Sequence, residues 1–365
     1  MELKELDIIN FKNIVQASLK FSSGFNCFVG KNGMGKTNVL DAIYHLSMCK
    51  SYFNLSDIQN IRHEEPFFVI QGKYLRDGET VDIYCGVKRG QKKTFKRNQK
   101  AYSKLSEHIG LLPLVMISPE DYSLIDGGSE ERRRLVDGII SQCDRDYLQC
   151  LIRYNKALAQ RNSLLKMSAD KYIDADSLEI WNEQLAEQGE RIMEKREAFL
   201  KEFREIFQKY YEELSLGREL VELGYKASVE KGGLLEALHN NLKKDCVLTY
   251  TTVGVHRDDL VLNIGNYPVK KIGSQGQKKT FLIALKLAQY AWLYRVGKVQ
   301  PLLLLDDVFD KLDADRVKQI IRIVGGEMFG QVFITDTNRE HLDEILKEQQ
   351  VNYRLFYVDK GEFNV

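Results

Sequence analysis

The sequence predicts an α/β fold, a P-loop domain that carries an antiparallel β lobe and an inserted helical arm. Two motifs and the distance between them predict it. Gly30-Lys31-Asn32-Gly33-Met34-Gly35-Lys36-Thr37 fits G-x-x-x-x-G-K-[ST] at every fixed position. Leu302 to Leu305 is an all-leucine run ending in Asp306-Asp307, and a short, fully apolar run suits a central strand of a parallel sheet. Roughly 270 residues separate the two motifs, more than a compact domain of ordinary size places between them, so a large segment is inserted.

The first motif sits at a strand-to-helix turn. Phe25 to Val29 reads as a buried strand, and Asn38 to Leu46 has the three-four apolar spacing of a helix. Gly30, Gly33 and Gly35 let the backbone turn its N–H groups toward phosphates, with the positive end of the helix dipole behind them. Lys36 is placed to reach those phosphates and the Thr37 hydroxyl to hold Mg²⁺. In the second motif, Asp306 stands where it would orient the same ion. Asp307, one residue on, is placed to polarise an attacking water.

Composition narrows the class. At 365 residues the chain suits one large domain with a second inserted lobe, and a hydrophobic content of 44 % is ample for a core. Lys+Arg at 53 against Asp+Glu at 52 leaves a formal charge of +1, so any nucleic-acid surface must be local. Met1 to Glu5 lacks the pattern of a signal peptide, and no run approaches the roughly twenty apolar residues of a membrane helix. A soluble, cytoplasmic protein without a membrane partner is expected. Six cysteines form no C-x-x-C pair and are expected to be reduced core residues.

Along the chain, Leu6 to Ile9 and a short following strand lead to Phe25. Phe67 to Leu75, Val81 to Val87 and Lys93 to Arg97 alternate between turn signals as a small antiparallel sheet, and Leu111 to Ile117 is a further buried strand. Ser129, followed by Glu130-Glu131, starts a helical arm, with helical periodicity over Arg132–Lys166, Ser177–Leu214 and Leu234–Leu242. Strands return at Cys246–Thr251 and Leu260–Ile264, and a helix covers Gln277–Arg295. The division expected is a P-loop head from residues 1–128 and 245–365, with 129–244 as the inserted helical lobe.

Ser274-Gln275-Gly276-Gln277 at a helix start resembles the signature motif of ABC-type ATPases, and Lys311-Leu312-Asp313 resembles their D-loop. A serine hydroxyl and glycine N–H groups at a helix N-terminus make an anion site. In that class the site faces the γ-phosphate of the partner subunit, which implies an ATP-sandwiching homodimer. Ser274, Gly276, Gln277 and Thr335 then complete the nucleotide-binding site of Gly30 to Thr37. Over essentially the whole chain the sequence is similar to the RecF family of ABC-type recombination mediators. The blocks that carry this are Ile9-Asn10-Phe11-Lys12-Asn13, Ile117-Ser118-Pro119-Glu120-Asp121, Gly127 to Asp137, Gly254 to Leu260 and Val332 to Thr337.

Val255 stands where that family usually has proline beside His256. Ser118-Pro119-Glu120 replaces the lid glutamine of many ABC proteins, and Thr335 stands where transporters use a switch histidine. The resemblance implies ATP and Mg²⁺ as cofactors and slow, DNA-stimulated hydrolysis. It also implies a dimer clamping double-stranded or gapped DNA near single/double-strand junctions, and RecO/RecR-type partners supporting RecA loading and the SOS response. Lys88, Arg89, Lys92, Lys93, Lys96, Arg97 and Lys100 form one candidate DNA surface. Arg132, Arg133 and Arg134 could likewise reach DNA or the partner subunit, and Lys12 could approach the nucleotide. An ABC-type ATPase of a defence or toxin-linked system, gating a protein partner, and a transporter's nucleotide-binding subunit use the same chemistry.

Overall fold

Phe25–Val29 and Leu302–Asp306 are buried along their whole length, and Val332–Asp336 at every residue but its last. Strands with no wet face belong in the middle of a covered parallel sheet. The computed structural model places them there. It describes all residues except Asn54, 168–174, Leu216, Arg218, Lys311, Asp313, Asn338, Gln350 and Val365, and it omits the side chains of 175, 314 and 339–342. The D-loop residues Lys311 and Asp313 thus lie outside the described residues. The chain divides into two compact units, Met1–Asp121 with Lys286–Val365, and Tyr122–Leu285.

In the first unit the sheet runs Glu362–Asn364, Tyr353–Asp359, Phe25–Val29, Val332–Asp336, Leu302–Asp306, Leu114–Ile117; every neighbouring pair is parallel except the first. A second, antiparallel sheet runs Ile14–Lys20, Glu2–Phe11, Phe67–Arg76, Glu79–Lys88, Thr94–Arg97, Lys100–Ala101. The helix Lys36–Met48 touches both sheets. Its Val39, Leu40, Ala42, Ile43 and Leu46 are fully buried, against Ile8, Phe68 and Ile83 of one sheet and Leu302, Leu304 and Phe333 of the other. Full burial of each larger aliphatic side chain contributes about 1.5–3 kcal/mol, so the P-loop helix is anchored by its own core.

That core contains a pH-sensitive group. His108 is fully buried, donates from Nε2 to the Leu46 carbonyl at 2.7 Å and accepts the Tyr102 hydroxyl at Nδ1, 3.0 Å away. Burial lowers its pKa to about 4, with the Leu46 bond opposing the shift. The folded state therefore keeps it neutral while the unfolded chain takes up a proton below about pH 6.5, so stability falls as pH drops from 6.5 toward 4. The loss is expected to approach about 3 kcal/mol. Urea unfolding of the wild type and His108→Gln at pH 7 and 4.5 checks it: the variant should lose less stability over that interval, and equal losses would exclude His108 as the source.

In the second unit, Ser129–Cys143, Arg145–Met167 and the 41-residue Ala175–Ser215 are helices, accompanied by a three-stranded antiparallel sheet of Tyr267–Pro268, Asp259–Ile264 and Val221–Lys226. Two expectations are corrected. The periodic stretch Arg132–Lys166 is two helices, because Asp144 stops the first and its Oδ1 accepts the Tyr147 N–H at 2.9 Å to cap the second. Cys246–Thr251 is not a strand: Leu242–Leu248 is helical, ended by Thr249 at φ 62°, and Val247 is 82 % exposed. What drives this turn is polar. Buried Asp245 receives Arg161 at 2.7 Å and the Thr252 hydroxyl and N–H at 2.7 and 2.9 Å.

All six cysteines are unpaired, and burial raises the pKa of the Cys27, Cys49 and Cys85 thiols. Among the described residues no helix is long and apolar enough to cross a membrane.

Candidate nucleotide site

Parallel register gathers the first-unit site at the carboxyl ends of the strands, where open α/β sheets bind ligands. Thr335 lies between Phe28 of the P-loop strand and Asp306 of the leucine strand. Gly30 must be glycine, since a Cβ there would stand 2.3 Å from the Val358 carbonyl oxygen. Gly35, at φ 111°, caps the helix, and its missing Cβ leaves room for the Asn13 side chain. Lys36 is 4 % exposed and donates to the Gly30 and Lys31 carbonyls at 2.7 and 3.1 Å. The Thr37 hydroxyl donates to Asp306 Oδ1 at 2.8 Å, joining residues 269 apart in sequence.

Asp306 is nearly enclosed, and burial raises its pKa to about 6, although Thr37 and Thr335 donate to it and Lys36 attracts it. Asp307 is shifted upward by burial as well, with Lys36 opposing. Among the described residues no three His, Cys, Asp or Glu side chains gather to hold an ion alone. A Thr37 hydroxyl beside one carboxylate is a hard oxygen set that suits Mg²⁺, which takes the rest of its shell from phosphate and water.

Three supports of the P-loop were not legible in its motif. Asn13 accepts the Asn38 amide at 2.6 Å and donates to the Gly33 carbonyl at 3.4 Å. From the far end of the chain, Gly361 N–H donates to the Met34 carbonyl at 2.8 Å. Lys12 is drawn onto fully buried Asp41 at 2.7 Å and lies over the Phe53 ring. Position was the available signal for Asn38, which directly follows Thr37, and for Asn13, which closes the block Ile9–Asn13; Gly361 offered only a turn-forming residue type.

In the second unit, Ser274 is exposed and precedes the helix Gln275–Gly297. Its Oγ accepts the Gln277 N–H at 3.2 Å, while Gln277 Oε1 accepts the Ser274 N–H at 2.7 Å, a reciprocal capping box. Gln277 also donates to Glu219 at 2.5 Å, and Gly276 is half-buried beside it.

The blocks Gly127–Asp137 and Gly254–Leu260 meet each other. Arg132 pairs bidentately with Asp259 at 2.7 and 3.0 Å, and Arg133 donates to the Asp258 carbonyl at 2.6 Å. Arg196, from the long helix, bridges Asp137 at 2.9 Å and Asp258 at 3.3 Å. His256 donates from Nε2 to the Thr251 carbonyl at 3.1 Å and accepts the Tyr154 hydroxyl at 2.7 Å; burial lowers its pKa to about 4, so it is neutral at pH 7. Of the three arginines only Arg134 is exposed, paired with Glu130 and Glu131. Lys93, just before the strand Thr94–Arg97, is taken up by the Cys49 carbonyl at 2.7 Å and Asp57 at 2.8 Å, and Lys96 on that strand lies over Tyr84. Lys88, Arg89, Lys92, Arg97 and Lys100 are exposed.

The fold and this arrangement are those of an ABC-type ATPase head. Residues 2–364 match the model of the RecF/RecN/SMC N terminal domain. A DNA replication and repair protein RecF from Phocaeicola vulgatus is 54 % identical over 364 residues, 99 % of this chain and 98 % of that protein. The solved structure of a recombination mediator protein RecF with ATP, from the RecFOR pathway, is 33 % identical with a TM-score of 0.90, covering 99 % of this chain and 96 % of that one. An Smc head bound to the C-winged helix domain of ScpA shares the fold at a TM-score of 0.58 and 16 % identity, over 100 % of this chain and 96 % of that one. The chain belongs to the RecF family of DNA replication and repair proteins.

Proposed function

We propose that the chain is an ATP-driven DNA clamp of recombinational repair. Gly30 to Thr37 hold the phosphates, Lys36 neutralises them, and Asp307 orients the attacking water. Thr37 and Asp306 would hold Mg²⁺, which would offset the negative charge of the phosphates. Ser274, Gly276 and Gln277 of a second copy close over the γ-phosphate, so ATP makes the dimer and slow hydrolysis opens it. Duplex DNA near single/double-strand junctions is the cargo, RecO/RecR-type proteins are the partners, and the protein works in the cytoplasm. Exposed Lys88, Arg89, Lys92, Arg97 and Lys100 are the DNA-facing candidates, giving an affinity that falls with salt.

Full-length identity to RecF carries this reading, and it favours DNA repair over a defence-system or transporter role. Sedimentation of the chain with ATP, ADP or no nucleotide, with and without gapped duplex, tests it. A dimer only in ATP, retaining DNA, is expected; a monomer in ATP that binds no DNA would refute it. Ser274→Arg should keep ATP affinity within about twofold yet remain monomeric, because the bulk lies on the exposed cap rather than in the P-loop. If that variant still dimerised in ATP, the sandwich arrangement would fail.

A further inference from the structure

Thr335 is fully buried at the end of the strand Val332–Asp336. Its hydroxyl lies 2.8 Å from Asp306 Oδ1 and 2.9 Å from the Asp307 main-chain nitrogen. An ionised carboxylate only accepts and an N–H only donates. The single Thr335 proton therefore goes to Asp306, and the Thr335 oxygen receives the Asp307 N–H. No proton is left for a phosphate.

Asp307 is where such a grip is needed. Its backbone sits at φ 47°, in the left-handed region, which costs a side-chain-bearing residue on the order of 1 kcal/mol or more and persists only when neighbours enforce it. Asp306 Oδ1 meanwhile receives two hydroxyls, from Thr37 and Thr335, which fix the carboxylate from opposite neighbours. Thr37 belongs to the P-loop helix and Thr335 to the strand between the two motifs. One hydroxyl thus sets both the direction of Asp306 and the main-chain turn that aims Asp307.

We propose that Thr335 is a positioning residue for hydrolysis that acts through Asp306 and Asp307 and does not touch the nucleotide. This rests on the reading of Asp307 as the residue that orients water. Thr335→Val keeps the shape and removes both hydrogen bonds, Thr335→Ser keeps both, and Thr335→Cys offers a weaker donor and acceptor.

Single-turnover hydrolysis, KM for ATP, equilibrium ATP affinity and thermal midpoint are read for each, beside Asp307→Asn. The valine variant should hydrolyse about tenfold to a hundredfold more slowly, as displaced catalytic groups do, with KM and ATP affinity within twofold of wild type. Serine should restore the rate to within about threefold, and cysteine should fall between. A full rate in the valine or cysteine variant would overturn the proposal. So would a serine variant as slow as valine, which would assign the effect to the methyl group, or a valine variant whose ATP affinity falls with its rate, which would mean direct contact. If the valine variant does not fold, the ordering of wild type, serine and cysteine decides. Normal hydrolysis by Asp307→Asn would remove the Asp307 reading itself, a result distinct from a fast Thr335→Val beside a slow Asp307→Asn.

Discussion

Replacing Lys36 with alanine is expected to weaken ATP binding by roughly tenfold to a hundredfold and to abolish ATP-dependent dimerisation. The ammonium has three donors; two are held by the Gly30 and Lys31 carbonyls at 2.7 and 3.1 Å. That leaves the charge at the centre of the loop and free to turn when phosphate oxygens arrive. Hydrogen bonds to charged groups contribute about 1.5–3 kcal/mol, and 1.4 kcal/mol is a factor of ten in affinity. Titration with a fluorescent ATP analogue gives the affinity and sedimentation gives the dimer. An unchanged dissociation constant would mean that the backbone amides alone hold the phosphates.

Arg196→Met is expected to destabilise the second unit by about 3–5 kcal/mol, the usual result of removing one partner of a buried ion pair. Arg196 is 2 % exposed and holds Asp137, fully buried Asp258 and the Val255 carbonyl, the last at 2.9 Å. Tyr225 and the Ser228 N–H also bond Asp258, so the aspartate stays in place but loses its countercharge. Urea unfolding followed by circular dichroism measures the effect. A loss below about 1 kcal/mol would mean that water reaches Asp258 when the guanidinium is gone. The arginine thereby gives a physical reason for the blocks Gly127–Asp137 and Gly254–Leu260: they are two sides of one ionic core.

This core shows where sequence reading stops. The P-loop and the leucine-aspartate run were legible because their chemistry is local: a turn, a helix start, an apolar strand with a carboxylate at its end. Charge was legible too, but partners were not. Arg132 and Arg133 read as available for DNA until Asp259 and the Asp258 carbonyl, far along the chain, accounted for them. Lys93 likewise read as surface until Cys49 and Asp57 claimed it. Val221–Lys226 escaped notice because Glu222, Gly224 and Lys226 are poor strand formers; it pairs because Asp259–Ile264 lies beside it. Cys246–Thr251 misled in the opposite way, with strand-like composition on a helix that Asp245 fixes.

Topology also sets an order of assembly during synthesis. The P-loop strand Phe25–Val29 has Val332–Asp336 on one side and Tyr353–Asp359 on the other, so neither edge finds its partner until segments far along the chain have left the ribosome. Tyr122–Leu285 is contiguous and holds its own ionic core, so it can fold while the first strands wait. Pairings this distant in sequence form slowly. The phosphate loop therefore takes its working shape long after it is made, and chains cut short before Val332 should be unable to hold nucleotide.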